Sequence, residues 1–83
     1  MAYFIYIIHS MKLDQYYVGH TENLEDRIYR HVNSGSKATK KAKDWRLVYK
    51  EAFDTRSEAM NRETYIKRQK SRKFIEHLIR PAG

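Results

Sequence analysis

The chain has 83 residues, 41% apolar and 33% charged, and no cysteine. That length suits one domain with a modest core, the apolar share excludes a disordered chain, and the missing thiols exclude disulfides, thiol catalysis and zinc–thiolate sites. Seventeen Lys and Arg against ten Asp and Glu leave a net charge of +7, which favours a polyanionic partner, since each phosphate neutralised releases condensed counterions.

The first apolar run, Tyr3–Ile8, is far shorter than the ~20 residues of a membrane span. It also lacks the basic start and cleavage site of a secretory signal, so a cytoplasmic chain with no membrane partner is expected. Tyr3–His9 is aromatic and β-branched on both alternating faces, the pattern of a covered strand. Gln15–Thr21 is a second strand, and the short Ser10–Asp14 segment between them forces a hairpin. A two-residue turn at Met11-Lys12 would set Tyr6 directly across from Tyr17.

Asn23 is a helix N-cap, followed by Glu25 and Asp26 in the first turn. Leu24, Ile28 and Val32 form that helix's apolar stripe, with Arg27 and His31 four apart along its flank. Gly35–Asp44 is small and basic, an expected exposed loop. Trp45–Phe53 reads as a third strand with Trp45, Leu47, Tyr49 and Phe53 on one face. Thr55 and Glu58 form a capping box opening a helix to about Gln69. Ser71 caps a last helix with Phe74, Ile75, Leu78 and Ile79 on its apolar face, ended at Pro81. The order β-β-α-β-α-α predicts a single domain over residues 1–83: an α/β (α+β) sandwich of a three-stranded sheet flanked by helices.

Glu63 shares its helical face with Ala59, Ile66 and Lys70, so a carboxylate stands where a core residue belongs. Burial of that charge calls either for a cation such as Arg27 or Lys67, the commoner outcome, or for a divalent metal. Tyr6 and Tyr17, singly, read as packing residues. Gly19 inside a strand marks a bulge or a close approach. Arg27 has the donor fork for a phosphoryl group, and His20 and His31 suit acid–base work or phosphate contact, although an exposed helical Arg and surface imidazoles are the ordinary readings. Two basic clusters could follow a phosphate backbone: Lys37, Lys40, Lys41 and Lys43 in the loop, and Lys67, Arg68, Lys70, Arg72 and Lys73 around the last helix junction.

Phe4-Ile5-Tyr6, Tyr17-Val18-Gly19, the turn Gly19–Leu24 leading to Arg27, and Ser57–Glu63 followed by Ile66-Lys67 occur in the order and on the elements of one known layout. From about Tyr3 to Arg72 the chain resembles the GIY-YIG nuclease superfamily, and is similar to its small stand-alone UPF0213 group. The resemblance implies an antiparallel three-stranded sheet and a metal-dependent DNA endonuclease. It implies one Mg²⁺ or Mn²⁺ held by Glu63, Tyr6 or Tyr17 as general base, Arg27 on the scissile phosphate and His31 beside it. All these groups are expected on one side of the sheet, with a protein partner possible for targeting. Phe4 replaces the motif's first glycine, and His20 stands where many relatives carry lysine. The alternative is a non-catalytic nucleic-acid binding module on the same fold.

Overall fold

The computed structural model describes residues 2–33 and 41–80. Its elements are β1 (Tyr3–Ser10), β2 (Gln15–Thr21), α1 (Leu24–Asn33), β3 (Arg46–Phe53), α2 (Arg56–Arg68) and α3 (Arg72–Ile79). The sheet is antiparallel in the order β2-β1-β3. β1 is therefore central, and its run Ile5–Ile8 is buried on both faces, as its unbroken apolar pattern requires.

The two sides of β1 face different layers. Ile5 and Ile7 pack with Val18, Ala59 and Ile66, beneath α2 and the apolar residues of α3. Tyr6 and Ile8 pack with Trp45 and with Leu24, Ile28 and Val32 of α1. The sheet thus lies between α1 on one face and α2 with α3 on the other, the expected sandwich.

The helix boundaries follow from their caps. Asn23 Oδ1 accepts from the Asp26 amide at 3.1 Å at the start of α1. Thr55 and Glu58 close a reciprocal capping box, and Ser71 Oγ accepts from the Phe74 amide. Each cap meets helix donors that have no partner within the helix.

Three expectations are corrected. The hairpin turn is Met11–Asp14, four residues long, so Ser10 pairs with Gln15 and Tyr6 pairs with Gly19 rather than Tyr17. Asp14 takes a left-handed φ of 52°, Ser10 Oγ accepts from the Leu13 amide at 3.1 Å, and Asp44 accepts from Ser10 Oγ and the Lys12 amide. These bonds stabilise the longer turn. The register moves by two residues, so Tyr17 keeps the face of Tyr6. Second, β3 does not present one continuous face. Ile7 pairs with Tyr49 and Ile8 with Leu47, so an extra residue, Val48, bulges out of the ladder. Trp45 accordingly packs on the α1 side, whereas Tyr49 and Phe53 pack on the α2 side. Third, Lys70 does not continue the Glu63 face of α2. The helix stops at Arg68, and Lys70 has a left-handed φ of 47° between α2 and α3.

Candidate active site

On the α1 side of the sheet, Tyr6, Tyr17 and His31 form a cluster of three rings. Tyr17 and His31 lie 5.1 Å apart between centroids, Tyr6 and His31 5.7 Å, and Tyr6 and Tyr17 6.5 Å. A buried hydrogen bond of 2.9 Å joins the Tyr6 hydroxyl and His31 Nε2. Burial, more than the neighbouring Tyr17 and Glu63, pushes the Tyr6 phenol pKa well above its ordinary value, with Arg27 opposing. Burial and then the Arg27 charge lower the His31 pKa. With the phenol protonated and the imidazole neutral, the bond is made either by the hydroxyl donating to Nε2 in the Nδ1–H tautomer or by Nε2–H donating to the hydroxyl oxygen.

Gly19 explains how the Tyr6 ring fits. A Cβ built at Gly19 would stand 2.5 Å from the Tyr6 hydroxyl oxygen and 2.7 Å from the adjacent ring carbon. Of the two sequence readings of Gly19, close approach is the observed one. The approaching group is the tyrosine side chain opposite it in the ladder.

Arg27 is exposed on α1. Among the described residues its guanidinium has neither an ion pair nor a hydrogen bond, while its charge bears on both Tyr6 and His31. The Tyr17 hydroxyl is also without a hydrogen-bond partner among the described residues.

Glu63 arrives from the other side, which corrects the expectation of a single-faced site. Ala59 and Ile66 of α2 are buried against Ile5, Ile7 and Val18, and Glu63 lies between them on the same helix, so its backbone is across the sheet from Tyr6 and Tyr17. Its carboxylate reaches the outer strand β2, where it bonds His20 Nδ1 through Oε1 and Lys67 Nζ through Oε2, the latter at 2.6 Å. The same Lys67 ammonium lies 5.9 Å from the Tyr17 ring centre. The two half-sites therefore meet around the edge of β2, not on one face. Burial would raise the Glu63 pKa, but the hydrogen bonds from Lys67 and His20 outweigh it and hold the carboxyl below its usual range.

Two openings flank this edge. His20 and Arg27 line a small recess of about 200 Å³ with Thr21, Glu22 and Arg56. Tyr17, Lys67 and Lys70 line a groove of about 470 Å³ with Tyr16 and Arg72, between β2 and the α2–α3 junction. Lys41 and Lys43 are exposed before β3 and line neither opening. Lys37 and Lys40 lie outside the described residues. Arg56 was not singled out from the sequence. Its place directly after the Thr55 cap was visible there, but its approach to Glu22 at 3.7 Å depends on the tertiary fold.

Among the described residues no three His, Cys, Asp or Glu side chains form a metal-binding group. A hard divalent cation keeps several waters and needs one or two carboxylates. Glu63 would supply one such carboxylate: its side chain is 16% exposed, and a cation there would have to displace at least one of the nitrogen donors, His20 and Lys67, that now engage its two oxygens.

The family model described as the GIY-YIG catalytic domain matches residues 2–75. The chain belongs to the GIY-YIG nuclease superfamily. Within it, the chain is similar to a UPF0213 protein of Staphylococcus saprophyticus, 44% identical over 77 residues that span 88% of this chain and 93% of the relative. It is also similar to the UPF0213 protein YazA of Bacillus subtilis, 35% identical over 78 residues, covering 89% and 78% of the two chains. A solution NMR structure of a UPF0213 protein from Bacillus halodurans aligns with a TM-score of 0.60 at 32% identity, covering 95% of this chain and 83% of that one.

Proposed function

We propose that the chain is a divalent-metal-dependent endonuclease that hydrolyses phosphodiester bonds in DNA at the edge of β2. The observation that carries this reading is the meeting there of the Arg27 guanidinium and the Tyr17 hydroxyl, neither with a partner among the described residues, and the partly buried Glu63 carboxylate. Arg27 binds the non-bridging oxygens of the scissile phosphate, its fork matching their geometry and the charge that develops on them. Tyr17 orients the attacking water and, as its own hydroxyl proton passes to solvent, takes up the proton the water loses. Tyr6 is unsuited to that task because burial keeps it a phenol. It and His31 form a rigid wall that fixes the Tyr17 ring. Glu63 would hold Mg²⁺ or Mn²⁺, and His20 would steady the carboxylate. When bound, such an ion neutralises phosphoryl charge and acidifies nearby water. The lysines of the groove contact the flanking backbone.

One observation favours a second reading, a binding module without catalysis: both Glu63 oxygens are already engaged by His20 and Lys67. Cleavage of duplex, branched and single-stranded DNA in Mg²⁺ or Mn²⁺ separates the two. Arg27→Ala is expected to reduce cleavage by about 10²–10³-fold, and Tyr17→Phe by roughly 10²-fold or more. Metal-dependent cleavage unchanged in both variants would remove these residues from the mechanism, and none by the wild type would favour the binding module.

A further inference from the structure

Lys67 belongs to two surroundings at once. Its ammonium is 2.6 Å from Glu63 Oε2, yet its side chain is half exposed and lines the groove with Tyr17 and Lys70. His20, the other partner of Glu63, is shorter, fixed on a strand and less exposed. Lys67 is therefore the partner that can leave at little cost. A long side chain on a helix surface holds an i,i+4 carboxylate only weakly, and the groove offers it a second place to lie.

We propose that Lys67 is a displaceable counter-ion of Glu63, which a divalent cation expels into the groove, where its ammonium becomes a contact for the DNA backbone. The proposal rests on the nuclease reading and adds a coupling to it. Without the cation, Lys67 neutralises Glu63 and is withheld from phosphate. With the cation on Glu63, its charge repels the neighbouring ammonium, and the half-exposed Lys67 moves to the nearest available anion. Cation and DNA then favour each other's binding, since linkage between two ligands is reciprocal. Lys70 lines the same groove and has no ion pair among the described residues, so it supplies a contact that does not depend on the cation.

Mn²⁺ affinity, read from the free-ion magnetic resonance signal, and the affinity of a fluorescein-labelled duplex oligonucleotide in EDTA and in Ca²⁺ test the coupling. Lys67→Gln should bind Mn²⁺ about two- to five-fold more tightly than wild type, the worth of a partly exposed ion pair. Wild type should bind the duplex more tightly in Ca²⁺ than in EDTA, and Lys67→Gln should lose most of that gain. Lys67→Arg, which keeps the charge, should retain the weaker Mn²⁺ affinity and the gain. Mn²⁺ affinity unchanged or weakened in Lys67→Gln, with Glu63→Gln still abolishing both Mn²⁺ binding and cleavage, would overturn the role of Lys67 and leave the nuclease reading standing. If wild type shows no Glu63-dependent Mn²⁺ binding and no cleavage, both fall.

Discussion

Gly19 and Tyr6 are one structural unit although 13 positions separate them. The tyrosine ring occupies the space that any side chain at Gly19 would need, and its hydroxyl is tied to His31 on α1. With Tyr6 only 2% exposed, the ring has nowhere to retreat. Gly19→Ala is expected to cost about 1–3 kcal/mol, the usual penalty of overpacking, and to reduce cleavage by disturbing the wall behind Tyr17. Denaturant melts beside a cleavage assay check both; an unchanged midpoint would show that the ring can move. His31 makes a second prediction at this scale. Its pKa in the folded chain is lowered from the ordinary 6.5, so between 6.5 and that lower value the unfolded chain binds a proton that the native one refuses. Stability must then fall as pH drops through this window, and His31→Gln should flatten the fall. Melts at several pH values from neutrality downward would contradict this if wild type and variant ran parallel. The sequence singled out Tyr6, Gly19 and His31 individually, but their contact depends on strand register and could not be read from spacing.

At the scale of elements, most of the architecture was legible because local signals agreed. Capping residues, apolar stripes and alternation all pointed to the same six elements. The errors arose where a long-range contact decided the outcome. The hairpin turn is four residues long partly because Asp44, distant in sequence, accepts from Ser10 Oγ at 2.6 Å and from the Lys12 amide at 2.9 Å. Ser10 is fully buried and also accepts from the Leu13 amide. Ser10→Ala should therefore destabilise the fold by about 1–3 kcal/mol, the cost of leaving buried polar groups without partners. Denaturant titration measures it, and a loss near zero would mean that water replaces the hydroxyl. The bulge at Val48 was equally hidden, since alternation along β3 looks regular until its pairing with β1 is known. The expectation that Glu63 would share the tyrosines' face failed for a topological reason. The helical phase correctly placed Glu63 between core positions, but which side of the sheet α2 covers depends on the path from β3.

At the scale of the whole molecule, the basic surplus and the position of the candidate site belong together. The sheet is covered on both faces, and the proposed site lies at one edge, on the outer strand β2 that carries Tyr17, Gly19 and His20. Residues from both layers reach that edge, Arg27 from α1 and Glu63 and Lys67 from α2, beside a groove that also carries Lys70 and Arg72. The residues proposed for the site were singled out by their motif order; their assembly around an edge was not legible. The most direct measurement compares wild type with Glu63→Gln, a change that keeps size and removes charge. DNA cleavage should appear with Mg²⁺ or Mn²⁺, disappear in EDTA and be abolished in Glu63→Gln. The variant's DNA affinity in EDTA should stay at or slightly above that of wild type, and its stability should change by no more than about 1 kcal/mol, because Lys67 is half exposed. Cleavage that persists in Glu63→Gln, or wild-type protein that cuts no DNA substrate with either ion, would contradict the account.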